Sequence, residues 1–243
     1  MSNRNTQAPP GWGEDALTAF LEDCHGNHFA TFWNKPLEVS DLIAIDAIFV
    51  RLTADLTDPK PLLPMTFLMR AFSAFRASVG AAMAGQTFET YALLRLCLEH
   101  GAYGVFIGDN VALWERWMRR HDEGDISKRK VRDAFTYAKI RRGIRDVLPE
   151  NAKAFEELYE RCIDFGAHPN QMGFSTNSRI DRTDGKMRLD TVLVQGEGLP
   201  MDLALKTAAQ VGLWVLLAMK LFYAERYDEI AINNDLEAIR ERY

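Results

Sequence analysis

Apolar residues recur three and four positions apart along most of the chain, the spacing that places them on one face of an α-helix. Proline and glycine interrupt the pattern at Pro36, Pro59, Pro61, Gly108 and Gly124. These positions mark helix ends, because proline cannot continue a helix and glycine weakens one. The uninterrupted stretches predict helices over residues 14–23, 41–56, 65–84, 88–107, 111–121, 127–148, 149–167 and 200–227.

One segment departs from helical spacing. Residues 178–194 contain two short runs on either side of Asp184 and Gly185, a pair that favours a two-residue hairpin turn. Val192 and Val194 add β propensity to the second run. We therefore predict a mainly α-helical fold: a flexible N-terminus over 1–12, then a single-domain helical bundle over 13–243 with one β-hairpin inserted before the last long helix.

Composition limits the class of protein. A chain of 243 residues with 47 % hydrophobic and 26 % charged residues has the balance of a globular domain with a real core. The longest apolar run, 211–219, is shorter than the roughly 20 residues that a membrane span needs. The first residues lack the apolar core of a secretory signal. We expect a soluble, cytoplasmic protein without membrane contact.

Motifs for cofactors and metals are weak. Cys24, His25 and His28 form a loose cluster, but no fourth ligand is evident. Cys97 and Cys162 add neither a CxxC pair nor a disulfide framework. Glycine-rich phosphate loops after a strand, GxSxG elbows and paired Glu-x-x-His motifs are missing from the sequence. We predict no metal site and no cofactor.

Charge is distributed unevenly. The net charge is −5, yet the segment from Trp114 to Arg145 carries eleven Lys and Arg against five Asp and Glu, a local +6 that leaves −11 for the rest. A charge run is ordinarily a solvated face that pairs with acidic helices. The alternative is a surface that binds the phosphates of RNA or DNA. Its candidate residues are Lys128, Arg129, Arg132, Lys139 and Arg142.

Two charged residues interrupt the apolar helix predicted over 88–107. Arg95 and Glu99 are four residues apart and therefore lie on one helix face. Their sequence neighbours are almost all apolar, and buried charges are costly unless they are paired and hydrogen-bonded. One interpretation is an internal ion pair that fixes helix register. The other is a polar site at the centre of the bundle, where ligands and catalysis are often found.

A histidine later in the chain extends this second interpretation. His168 stands between a predicted helix end and Pro169, and Arg161 lies seven residues before it. Arg95, Glu99 and His168 resemble bacterial families of unknown function whose central helix carries Arg-x-x-x-Glu and whose later helix ends in His followed by proline or serine. Those families are similar to HEPN domains, helical ribonucleases and nucleotide-associated domains with an Arg-x(4–6)-His motif. The resemblance covers residues 65–170.

The resemblance implies a nucleic-acid-associated protein of a stress or defence type, with Arg95, Glu99 and His168 as its catalytic candidates. In such a site arginine holds a phosphate and histidine moves a proton near neutral pH. The sequence departs from the catalytic pattern, because no arginine is followed by the usual polar residue and then a histidine at the right distance. Any activity implied is that of a metal-independent ribonuclease. His168 as a helix C-terminal cap is the competing interpretation.

A different class of function also fits the sequence. The last helix is rich in aromatic residues and the helix over 88–107 is apolar nearly all round. Both features suit a non-enzymatic scaffold or small-ligand-binding protein that forms a homodimer. Convergence of Arg95, Glu99 and His168 around a solvent-reachable pocket would favour the first class, and RNA or another phosphate-containing ligand would then be its partner.

Overall fold

The computed structural model of the chain describes residues 8–243, so the predicted flexible stretch 1–12 lies mostly outside the described residues. Within residues 8–243 the predicted mainly helical fold is confirmed. In chain order the elements are α1 (Ala16–Asn34), α2 (Pro36–Thr53), α3 (Leu62–Met83), α4 (Thr87–Ile107), α5 (Val111–Met118), α6 (Asp125–Ala134), α7 (Tyr137–Val147), α8 (Pro149–Cys162), a π-helical turn (Ile163–Ala167), α9 (Gln171–Asn177), β1 (Ser178–Thr183), β2 (Lys186–Thr191), α10 (Leu199–Glu229) and α11 (Asn233–Arg240).

Local sequence signals account for several helix starts. Asp15 caps α1, where its carboxylate accepts hydrogen bonds from the backbone N–H groups of Leu17 and Thr18 at 2.9 and 3.0 Å. A carboxylate at this position satisfies N–H groups that have no partner within the helix. Pro36 and Pro149 occupy the first turns of α2 and α8, where a missing N–H costs nothing.

The core is organised around α10, which packs against α2, α3, α4 and α8. Glycines make these close approaches possible: a Cβ on Gly212 would lie 2.6 Å from Phe75 and 2.8 Å from Ile45, and one on Gly101 would lie 2.9 Å from Val215. The aromatic side chains of α10 that motivated a dimer through the last helix point inward. Trp214, Tyr223 and Tyr227 are all buried, so they do not form an exposed dimer surface.

The prediction of one long basic helix over 127–148 is wrong. The structure divides this stretch into α6 and α7, because Phe135 turns into the core and Thr136 starts a new helix by accepting a hydrogen bond from the N–H of Lys139. The amphipathic stretch predicted over 14–23 lies in α1, which ends at Asn34, where the sequence predicted a break at Asn34, Lys35 and Pro36. The sequence pattern did not predict α9 or α11.

The predicted hairpin is confirmed. β1 and β2 pair antiparallel with Ile180 opposite Leu189. Asp184 and Gly185 form the turn with φ of 55° and 71°, the positive values that a type I′ turn requires. The hairpin is exposed along almost its whole length.

One described helix, α10, is long and apolar enough to cross a membrane by length and composition alone. Of its most apolar window, 67 % is buried inside the bundle. The buried central helix of a helical bundle can be equally long and apolar, so length and composition do not distinguish a membrane-spanning helix from a core helix.

Candidate functional site

Arg95 and Glu99 form a hydrogen-bonded ion pair on one face of α4. The Arg95 Nε donates to Glu99 Oε1 at 2.8 Å. The sequence pattern suggested burial, but the two side chains are 27 % and 35 % exposed. The reason is local: the face of α4 that carries Ala92 and Leu96 reaches the surface, and the ion pair lies at its edge. The pair is therefore within reach of solvent.

Tyr159 of α8 completes this cluster. Its hydroxyl accepts a hydrogen bond from Arg95 Nη2 at 2.9 Å and donates to Glu99 Oε1 at 3.2 Å. Phe155, Tyr159 and Cys162 form the inner face of α8, which brings Tyr159 against α4. Sequence reasoning did not single out this tyrosine. The available signal was a tyrosine on an apolar stripe, since a buried phenol needs a hydrogen-bond partner.

A small cavity of about 280 Å³ opens beside the cluster. Ligand pockets typically measure ~300–1,000 Å³, so this one suits a single ring system better than a large ligand. Its wall is mostly aromatic and comes from α4, α8 and the junction of α6 and α7. The residues that line it are Arg95, Glu99, Ala102, Tyr103, Phe135, Tyr137, Ile140, Phe155 and Tyr159.

The aromatic wall contains two stacked pairs. Tyr137 stacks on Tyr159 with ring centroids 4.3 Å apart and an interplanar angle of 20°. Tyr103 stacks on Phe135 at 5.3 Å and 15°. The Arg95 guanidinium carbon lies 5.0 Å from the centroid of the Tyr159 ring, within the range of a cation–π interaction. The stacking fixes the rings, so the cavity is preformed.

The environment sets the protonation state of the cluster. Burial lowers the pKa of Arg95, but the hydrogen bond and the charge of Glu99 outweigh burial, and the net pKa is raised. Burial and the charge of Glu99 raise the pKa of Tyr159 to about 12. Burial also raises the pKa of Tyr103 and Tyr137. At neutral pH the site thus presents a charged guanidinium and protonated phenols.

Unused hydrogen-bonding capacity remains on the ion pair. Among residues 8–243, Arg95 Nη1 has no protein acceptor within hydrogen-bonding distance and Glu99 Oε2 has no protein donor. Both residues line the aromatic cavity, so one donor and one acceptor are left over on side chains of its wall. The cavity can therefore receive a small ring that carries hydrogen-bonding groups.

His168 lies apart from this cavity. It follows the π-helical turn, is exposed, and is not among the residues that line the cavity. The turn packs near the start of α4, where Gly166 contacts the backbone of Phe88. Phe88 precedes Arg95 by seven residues, about 10 Å along a helix. The structure thus brings Arg95 and Glu99 together and places Tyr159, instead of His168, beside them.

The candidate phosphate-binding residues lie on α6 and α7, the two helices on either side of the junction that supplies Phe135 and Tyr137 to the cavity wall. Lys128 is paired with Asp125 at 3.3 Å, and Lys139 Nζ donates to the carbonyl of Asp133 at 2.6 Å. Arg129, Arg132 and Arg142 are exposed. Within the described part of the chain, no carboxylate lies within 4.0 Å of these three guanidinium groups.

Nearby cations are neutralised instead. Arg141 and Arg145 both contact Glu156 of α8, at 3.9 and 2.6 Å, and Lys130 contacts Glu123 at 2.9 Å. The interpretation of the basic segment as a face that pairs with acidic residues therefore holds for part of it. Three exposed arginines of α6 and α7 are left without an ion-pair partner among the described residues.

Comparison of the chain with protein-family models, with curated proteins and with solved structures gives no significant match.

Proposed function

We propose that this protein binds single-stranded RNA, with one base in the aromatic cavity beside Arg95 and with phosphates along the exposed arginines of α6 and α7. One observation carries the proposal. The junction of α6 and α7 supplies Phe135 and Tyr137 to the cavity wall, and the same two helices carry the unpaired arginines. Aromatic stacking surfaces next to a basic track are the combination that single-stranded nucleic acids require.

The position of the base is supported by the chemistry of the cavity. Bases splayed out of a single strand bind by stacking on aromatic rings and by hydrogen bonds to their edges. Tyr103, Phe135 and Tyr137 line the cavity, and each is already stacked on one side against another ring of the wall. Arg95 and Glu99 line the same cavity, and their Nη1 and Oε2 atoms have no protein partner among residues 8–243. The size of the cavity suits one base and leaves neighbouring nucleotides at the surface.

The path of the phosphates is supported by the free cations. Arg129 and Arg132 belong to α6 and Arg142 to α7, the two helices that meet at the Phe135–Tyr137 wall of the cavity. Arginine binds phosphate through two parallel N–H donors. The overall charge of −5 repels a polyanion elsewhere on the molecule, which restricts binding to this basic surface.

The proposal is tested by fluorescence anisotropy of a labelled oligouridine with the full chain. Three phosphate contacts to single-stranded nucleic acid predict a slope of about −2 for log K against log salt concentration. The triple variant Arg129→Ala, Arg132→Ala, Arg142→Ala should bind weakly, with a slope near zero. The matched control, Lys60→Ala, Lys153→Ala, Lys206→Ala, removes three exposed cations elsewhere and should retain the wild-type slope. The proposal is contradicted if the wild type does not bind the oligouridine at low salt, or if the arginine and lysine triple variants lose RNA affinity to the same extent.

Cleavage of the bound RNA is a separate question. If His168 is catalytic, metal-independent cleavage should disappear in His168→Ala and persist in Lys206→Ala, which changes an exposed residue of α10. Cleavage that survives in His168→Ala removes this histidine from the candidates without affecting the binding proposal.

A small-ligand-binding protein is the second candidate, and the small volume of the cavity favours it. A nucleoside monophosphate shares the ring and the phosphate but cannot reach all three arginines. If uridine monophosphate binds as tightly as the oligomer and the arginine triple variant is unaffected, the cavity alone is the binding site and the RNA proposal fails.

A further inference from the structure

A second cavity, of about 280 Å³, lies between α8 and α10. We call it the α8–α10 cavity. None of the residues that line it also lines the aromatic cavity beside Arg95. Six of its lining residues are Leu158 and Arg161 of α8 and Gln210, Leu213, Trp214 and Leu217 of α10. The α8–α10 cavity is therefore a place of its own, apart from the proposed RNA site.

Two hydrogen bonds between α8 and α10 fix which residues lie at each end of the α8–α10 cavity. Arg161 Nη1 donates to Gln210 Oε1 at 2.6 Å, and the indole Nε1 of Trp214 donates to the carbonyl of Asn151 at 3.0 Å. Arg161 and Asn151 are ten residues apart on α8, which is about 15 Å along the helix axis. The cavity is thus polar near the last turn of α8 and apolar toward its first turn, where Trp214 and Leu217 line it.

The polar end holds hydrogen-bond donors that the protein leaves unused. Arg161 Nη1 also donates to the hydroxyl of Thr207 at 3.4 Å, and that hydroxyl donates its own proton to the carbonyl of Leu203 at 2.7 Å. Among residues 8–243, Arg161 Nε, Arg161 Nη2 and the side-chain amide nitrogen of Gln210 have no protein acceptor. A ligand at this end of the cavity therefore has to supply acceptors, because donors left without a partner are costly.

The charge of Arg161 also lacks a counter-ion. Within the described part of the chain, no carboxylate lies within 4.0 Å of its guanidinium group. Glu157, one turn earlier on α8, contacts Lys153 at 3.6 Å instead. Arg161 stands in the last turn of α8, where the helix dipole offsets part of the positive charge but provides no acceptor for the remaining N–H groups. The missing acceptor is therefore best supplied by an anion.

We propose that the α8–α10 cavity binds a small organic monocarboxylate with an apolar body. The carboxylate accepts hydrogen bonds from Nε and Nη2 of Arg161, the pair of donors that arginine presents to a carboxylate in parallel. Arg76 uses the same two atoms toward Asp46 in this chain, at 2.7 and 2.9 Å. The amide of Gln210 is a third donor beside them.

The rest of the wall selects the body of the ligand. Leu213, Trp214 and Leu217 offer apolar surface next to the polar end. Glu150 and Glu157 also line the cavity and are exposed, so they repel a ligand with a second negative charge, such as phosphate. Ligand pockets typically measure ~300–1,000 Å³, so this cavity suits one ring with a short chain.

Titration of the full ¹⁵N-labelled chain with phenylbutyrate, followed through the indole N–H signals of its five tryptophans, tests the proposal. The signal of Trp214, which is assigned by its loss in Trp214→Phe, should shift in a saturable manner. Phenylbutyramide has nearly the same shape without the charge and should bind at least about tenfold more weakly, because hydrogen bonds to a charged group are the stronger ones. Inorganic phosphate should neither shift this signal nor displace phenylbutyrate.

Variants locate the carboxylate. Arg161→Gln should lower the affinity for phenylbutyrate at least about tenfold, with circular dichroism unchanged. Arg182→Gln, on the exposed hairpin, and Arg95→Met, in the aromatic cavity, should both keep the wild-type affinity. If Arg161→Gln does not fold, the comparison of acid and amide on the wild-type chain decides alone. An unmoved Trp214 signal, equal affinity for acid and amide, displacement by phosphate, full binding in a folded Arg161→Gln, or loss of binding in Arg95→Met would each overturn the proposal.

Discussion

Replacing Arg95 by Met and Glu99 by Leu, singly and together, separates a structural ion pair from a binding site. The charges meet at 2.8 Å, and charges about 4 Å apart attract by ~4 kcal/mol at an effective dielectric constant of 20. Because the side chains are 27 % and 35 % exposed, water screens much of that attraction. The loss of stability on removing one partner should lie between two limits. An exposed ion pair contributes about 0.2–1 kcal/mol, whereas losing one partner of a buried pair costs about 3–5 kcal/mol.

We therefore expect each single substitution to lower the free energy of unfolding by about 1–2 kcal/mol, since the remaining partner loses its counter-charge. The double substitution removes both charges and should also cost only about 1–2 kcal/mol in total, because its second replacement leaves no unpaired group. The coupling energy, the sum of the two single losses minus the double loss, is then about 1–2 kcal/mol. Urea unfolding followed by circular dichroism measures all three values.

Binding of labelled oligouridine to the same variants supplies the second half of the test. The double variant should keep most of its stability and lose at least about tenfold in RNA affinity, the lower range for losing a base contact. If the double variant loses as much stability as the two single variants together, the two residues are not coupled, which would refute the coupling deduced from the structure. Unchanged RNA affinity in the stable double variant would reduce Arg95 and Glu99 to a structural pair.

Three further predictions concern stability. Burial and the charge of Glu99 raise the pKa of Tyr159 to about 12, against about 10 in the unfolded chain. The contribution of Tyr159 to stability is therefore present below pH 10 and lost as the pH rises through 12. In chemical unfolding, the free energy of unfolding of Tyr159→Phe should fall less between pH 10 and 12 than that of the wild type. Gly212→Ala should cost about 1–3 kcal/mol through overpacking against Phe75, and an unchanged melting temperature would contradict this packing. Thr136→Ala should cost about 1 kcal/mol as a lost helix cap, while Thr136→Ser, which keeps the capping oxygen, should cost less in the same melts.

Much of the fold follows from local sequence signals. The helix near 88–107 and the Asp184-Gly185 hairpin were predictable because proline, glycine and apolar spacing act over a few residues. The break between α6 and α7 was not, because Phe135 turns inward only to meet Tyr103 and Phe106, which lie far away in sequence. The amphipathic pattern of α1 covers only 14–23, because the second half of the helix is held by long-range contacts such as the hydrogen bond from Thr31 to the carbonyl of Met83.

The candidate site was predictable only in part. Arg95 and Glu99 stood out because charges in an apolar helix are costly, and their spacing of four residues implied contact. Tyr159 did not stand out, since a tyrosine on an inner helix face looks like any core aromatic until its hydroxyl partners are known. The cavity itself is formed by α4, α8 and the junction of α6 and α7, and no local pattern indicates how three separate segments enclose a space.

The central claim is that a base stacks in the aromatic cavity, and fluorescence of an oligouridine with a single 2-aminopurine tests it most directly. Stacking on Tyr137 and its neighbours should quench the fluorescence in a saturable manner, with the wild-type affinity. Tyr137→Ala should weaken that binding by about tenfold or more, within the ~1–3 kcal/mol attributed to one base stack. The control Met187→Ala, on the exposed hairpin, should not change it. Tight RNA binding without quenching, or with equal quenching in Tyr137→Ala, would contradict the account.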